Sequence, residues 1–263
     1  MRSSEWVALL YFIYLAVVCW LRPLPASRRL VITAVSSVLL AAIWLTAALA
    51  PSFVRDWTPF LYVSVAYYLT GFLFVAPSAA LEGWLLKWDH RWFGDPTTRF
   101  ARWPWWVVAY LEVVYMLCAF LLPGGFAALA IAGHSERANR YWTMVLAADM
   151  SAFAPLSVVQ TRPPWAIERE PTLADSGIHR LVSYVIKSAT TGANTFPSGH
   201  VAVTIAVALG VIGSLPVVGV VLLGVAASIG VACVVGRYHY AVDVLTGAVL
   251  GVVVSAVVVI CGA

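Results

Sequence analysis

Apolar residues along this chain come in long, nearly unbroken runs, and the polar residues are displaced to the ends of those runs. A helix needs about 20 mostly apolar residues to cross about 30 Å of hydrocarbon. Eight segments meet that criterion, at about residues 5–21, 30–50, 57–76, 105–132, 140–160, 199–214, 216–236 and 240–262. The pattern predicts an all-α integral membrane protein of about eight spans, without an internal repeat. The first run has no clear small-x-small cleavage site before Arg22 and is followed by more spans, so it is expected to be retained. Residues 77–104 mix Trp with Lys and Arg as an interfacial helix does. Residues 160–196 are the one long polar loop.

Composition agrees with the pattern. With 62% hydrophobic and 11% charged residues and a mean hydropathy of +0.90, the chain has too little polar surface for a soluble globule. A net charge of +4, from 16 basic and 12 acidic residues that are scattered, makes no nucleic-acid surface. Cys19, Cys118, Cys233 and Cys261 lie in or at the end of apolar runs without ligand spacing, and read as small buried hydrophobes. Beyond Val201, Gly210, Gly213, Gly219, Gly224, Gly230 and Gly236 are spaced to let helix backbones approach, so the last three helices are expected to pack tightly.

Three polar clusters interrupt this hydrocarbon-like sequence: "QTRPPW" with Arg162, "FPSGH" with His200, and "GRYHYAVDVLTG" with Arg237, His239 and Asp243. Counting spans alternately brings all three to one membrane surface. If the last helix begins near Tyr238, His239 and Asp243 lie on one helical face, four residues apart. A carboxylate accepting from Nδ1–H fixes the tautomer and leaves Nε2 with a free lone pair; the alternative is a plain helix-end ion pair. In "FPSGH", Pro197 suits the first helical turn, and the amides of Ser198, Gly199 and His200 suit an anion at a helix N-terminus. An ordinary Ser/Pro helix start is the competing reading. Arg162, between a helix end and two prolines, is a planar cation suited to phosphate oxygens, or an interfacial Arg flanking a span. Taken together, the clusters describe phosphoryl transfer through a histidine, with neither metal nor cofactor expected.

The order "RP", "PSGH" and H-x-x-x-D resembles the type-2 phosphatidic acid phosphatase superfamily over about residues 57–262. The resemblance implies a six-helix catalytic membrane domain at 57–263, preceded by two added transmembrane helices at 1–56. It implies a lipid phosphate substrate, with His239 as nucleophile, Asp243 as its orienter and His200 as the acid that protonates the leaving group. Arg162, Ser198 and Gly199 would bind the phosphate. The chain departs from the family pattern where a motif Lys would stand, at Pro155, and where a Ser-Arg pair would end, at Cys233. Arg237 is the candidate replacement for the second cation, and Lys187 or Arg180 for the first. "RYHYAVD" is similar to the histidine motif of the sphingolipid-synthase-like branch, so transfer to an alcohol stands beside hydrolysis. A transporter or structural protein is the rival class, but the midplane polar groups on broken helices and the inverted repeats of a transporter are not seen.

Glu112 and Asp149 fall within predicted spans, where an ionisable group is costly. An interhelical contact is the favoured reading for Glu112, whereas for Asp149 contact and function stand level. Asp89, His90 and Arg91 read as a solvated face, and Trp165 as an interfacial anchor. Twelve of the 16 basic residues fall on the motif side, which by the positive-inside rule would be cytoplasmic. The resemblance implies the outer or lumenal face, which is the expectation adopted, because catalytic and interfacial cations inflate the count.

Overall fold

The computed structural model describes residues 1–168, 182, 184 and 192–262. Among them every regular element is helical: α1 Ser3–Leu21, α2 Ala26–Leu49, α3 Ser52–Trp57, α4 Pro59–Gly71, α5 Ala79–Phe93, α6 Pro96–Ala101, α7 Trp105–Ile131, α8 Ala138–Phe153, α9 Gly199–Ile212, α10 Pro216–Val235 and α11 Ala241–Ile260. Five of these, α1, α2, α7, α10 and α11, are long and apolar enough to cross a bilayer. The chain is an all-α, multi-pass membrane protein.

Two expected spans are much shorter than the apolar pattern indicated. The run at 57–76 is divided at Thr58 and helical only to Gly71, and the run at 140–160 is α-helical only to Phe153. One side chain accounts for the first of these ends. Gln160, which lies beyond α8, donates from Nε2 to Leu73 O at 2.8 Å, while its Oε1 accepts from Val75 N at 2.8 Å and Ala76 N at 3.1 Å. Non-helical backbone in apolar surroundings requires such partners. Pro155, which has no N–H to continue the α ladder, lies in a short 3-10 turn, Ala154–Ser157.

The 14-residue α9 sits in the middle, packed against α7, α8, α10 and α11. Its Val201, Ala202, Val203, Ala206, Val207 and Ala208 are buried, so it is apolar on all sides, as an enclosed helix must be. The N-terminal helices are unequal in role. α1 packs on α8 and α4, with Tyr14 Oη donating to Ala154 O at 2.6 Å, whereas α2 lies outside α1 with most of its surface exposed.

The interfacial stretch is α5 followed by α6. On α5, Trp84, Trp88 and Trp92 recur every fourth residue and pack ring to ring on the outer face. Glu82, Leu85 and Asp89 form the buried face. The expectation that Asp89 is solvated is therefore wrong: the residue is 0% exposed. Helical periodicity turns it inward, and a buried carboxylate there needs a cation.

Candidate active site

The three polar clusters meet at one end of the bundle through backbone contacts. Thr161 and Asn194 form an antiparallel bridge, Trp165 N donates to Arg237 O at 3.1 Å, and Ser198 N donates to Asp243 O at 3.0 Å. The last contact requires α11 to lie very close to the start of α9. Gly247 and Gly251 make this possible: a Cβ on either would stand 2.5 Å from Ser198 O or 2.6 Å from Ala202 O. Of the glycines singled out from sequence, Gly219 makes a comparable approach, to Ile212, while Gly213 and Gly224 face open space.

The local geometry differs from the sequence expectation at both motifs. Helix α11 begins at Ala241, so His239 precedes the helix instead of sharing a face with Asp243. The two still meet, because Asp243 is the third helical residue and folds back over the helix start, where its Oδ2 accepts from Tyr240 N at 3.1 Å. His239 Nδ1 then lies 3.5 Å from the same oxygen, near enough to orient the ring but longer than a good hydrogen bond. At the other motif Pro197 lies outside the first helical turn, in a cis bond to Phe196, and Ser198 is the N-cap of α9. Because its amide is taken by Asp243 O, the expected three-amide cradle is reduced. The amide of Gly199 holds a long contact, 3.3 Å, to Thr195 Oγ1.

The imidazoles face each other, with His239 Nε2 3.3 Å from His200 Nδ1. With Nδ1–H of His239 directed at Asp243, Nε2 accepts and His200 Nδ1–H donates, so both rings are neutral. Burial pushes the His239 imidazole down to about 4, which fits that state. His200 is held flat by Tyr115, stacked at 4.8 Å between centroids, and Tyr115 stacks in turn on Tyr238 at 4.3 Å.

Residues that the sequence reading missed complete the frame. Asn194 Nδ2 donates to Asp243 Oδ2 at 2.9 Å and to Thr161 Oγ1 at 3.0 Å, tying two clusters together. Glu82 grips Arg162 with both oxygens, at 3.1 Å to Nε and 2.9 Å to Nη2, and also accepts from the Arg162 amide at 2.8 Å. Burial alone would raise the Glu82 carboxyl, but the hydrogen bonds from Arg162 prevail and hold it below the usual range; Glu82 in turn holds the Arg162 guanidinium above its own. The Arg162 side chain stays 43% exposed. Arg237 is different: 1% exposed, it donates to Asp89 Oδ2 at 2.7 Å and to Glu168. Asp89 Oδ1 also accepts from Ala241 N at 2.9 Å. Arg237 adopts a positive φ of 58°, so it is spent on shaping the turn before His239 and does not face open space. Lys187 and Arg180 lie outside the described residues.

A cavity of about 520 Å³ opens beside the histidines. His200, His239, Asn194 and Asp149 line it together with aromatic residues of α4 and α7, and Trp165 lines it too. Such a chamber, apolar with a few convergent polar groups, is the form of a ligand site. The sequence model described as the PAP2 superfamily matches residues 83–257. The chain belongs to this superfamily. Membership places it among phosphatase-type lipid phosphoesterases, and the matched span holds all three polar clusters. It begins within α5, so α1 to α4 precede it. Comparisons with curated proteins and with solved structures give no match.

Proposed function

We propose that this protein is a membrane lipid phosphatase that hydrolyses a phosphomonoester or pyrophosphate through a phosphohistidine. The observation that carries the reading is the buried His239–His200 pair, 3.3 Å apart at the wall of an apolar cavity, with Asp243 behind His239. A bound phosphoryl group takes the place of the hydrogen bond between the rings. His200 takes up a proton as the anionic phosphate binds, and then delivers it to the leaving oxygen while His239 Nε2 attacks phosphorus and the bond to that oxygen breaks. Asp243 supports the charge that appears on the His239 ring. Water activated by His200 then cleaves the N–P bond, returning phosphate and the free imidazole.

The amides at the start of α9 and the guanidinium of Arg162 meet the phosphate charge in this scheme, with Arg237 assigned to positioning. No divalent cation is required, and activity is expected to survive excess chelator. Transfer of a phospho-headgroup to an alcohol is the second reading, favoured by the likeness of "RYHYAVD" to the sphingolipid-synthase-like branch. The phosphohistidine is common to both, and only the attacking oxygen differs.

The test is phosphate release by purified protein from phosphatidic acid, polyprenyl pyrophosphate and phosphatidylglycerol phosphate, with and without an alcohol acceptor. Release with EDTA present, and acid-labile phosphate trapped on the wild type, are expected. Activity abolished by EDTA and restored by magnesium would overturn the histidine mechanism.

A further inference from the structure

Asp149, on α8, is a buried acid that the mechanism above does not use. Glu82, Asp89 and Asp243 are each held by a named donor, Asp243 through Oδ2 only, and Asp149, 3% exposed, shares with Asp243 the feature of one buried oxygen that has no partner, here Oδ2. Its surroundings are apolar: Tyr67, Tyr115, Phe153 and Val203 line the same cavity. A Cβ placed on Gly199 would lie 3.4 Å from Asp149 Oδ1, which puts the carboxyl against the residue preceding His200. A buried carboxyl that served only the fold would be expected to have a partner, because an unpaired one costs stability. A carboxyl that lines an apolar cavity within a membrane bundle instead points to a functional role.

We infer that Asp149 is a specificity-determining residue that accepts a hydrogen bond from a hydroxyl of the lipid alcohol, a few bonds from the phosphoester oxygen. The inference rests on the phosphatase reading above. In-line attack by His239 sends the leaving alcohol away from His239, and Asp149 lines the same cavity as both histidines, against the residue before His200. A carboxyl repels phosphate oxygens but suits a neutral donor, so the alcohol portion of the substrate is its partner. The substrate class is then a phosphorylated lipid with a free hydroxyl beside the phosphorylated carbon, in preference to a simple alkyl or prenyl phosphate.

The experiment compares a 1-acylglycerol 3-phosphate with its 2-deoxy analogue on wild type, Asp149→Leu and Asp149→Asn. Wild type should favour the hydroxylated lipid in kcat/KM by on the order of tenfold to a hundredfold. Asp149→Leu should erase that preference by raising KM for the hydroxylated lipid far more than for the deoxy lipid, while Asp149→Asn, which still offers an acceptor, should retain most of it. Without lipid, Asp149→Leu should melt higher than wild type, and the dephosphorylated 1-acylglycerol should stabilise it less. A preference that survives in Asp149→Leu overturns the assignment, as does a lower melting temperature with equal loss on both lipids. If the wild type turns over neither lipid the phosphatase reading fails, and the melting shifts with the acylglycerol still decide the role of Asp149.

Discussion

His239 Nε2 lies 3.3 Å from His200 Nδ1, a separation that leaves no room for a phosphorus atom between them. The resting site is closed on itself, and substrate must part the rings. Their consequences on removal are therefore different. His239→Ala should lower turnover of every substrate by about 10⁴-fold or more and abolish trapped phosphate, since no covalent intermediate forms. His200→Ala should cost most with an alkyl ester and much less with a nitrophenyl phosphate, whose leaving group needs no proton. Phosphate trapped on the His239→Ala protein would exchange the two assignments.

The pH dependence follows from the direction of the His239 shift. Burial lowers this imidazole to about 4, against about 6.5 for a free one, so the neutral nucleophile persists well below neutral pH. The acid limb of kcat/KM should therefore fall nearer 4 than 6.5. Stability has the same sign: the unfolded ring takes a proton near 6.5 and the folded ring does not, so this contribution declines as pH drops from about 6.5 to about 4. Melting temperatures across that range, compared with those of His239→Ala, isolate it.

Asp89→Ala should destabilise the protein by on the order of 3 kcal/mol. The substitution leaves the buried Arg237 guanidinium short of a counter-charge and removes the acceptor for Ala241 N. Thermal unfolding in detergent measures the loss, and activity should fall with it because the turn carrying His239 is released.

Gly247→Ala tests the α9–α11 approach. A methyl group 2.5 Å from Ser198 O forces the helices apart, at a cost of about 1–3 kcal/mol and most of the activity. Gly224→Ala, where nothing lies within 4 Å, should be neutral or slightly stabilising. Equal effects of the two substitutions would mean that the close approach is unimportant.

What the sequence reveals here depends on how far apart the interacting parts lie along it. Apolar runs announce the helices, and "PSGH" and H-x-x-x-D carry their residues within a few positions of one another. The ends of the runs are less legible, because the end of α4 is set by Gln160, which lies 87 residues beyond Leu73. The partners of the arginines are equally distant: Glu82 is 80 residues from Arg162 and Asp89 is 148 from Arg237. A signal for them did exist in the period of α5, which sets Glu82, Leu85 and Asp89 opposite three tryptophans. Asn194 stands four residues before Ser198, yet nothing local indicates that its amide reaches Asp243.

The brevity of α9 carries a consequence for the bilayer. At about 1.5 Å per residue its 14 residues rise about 21 Å, against about 30 Å of hydrocarbon. His200 lies in the first turn of this short helix, so the bilayer that meets the bundle sets how far a hydrated phosphate must travel to reach it. Hydrophobic mismatch thereby becomes a lever on turnover: a thin membrane brings headgroups down toward the histidines, and a thick one holds them away.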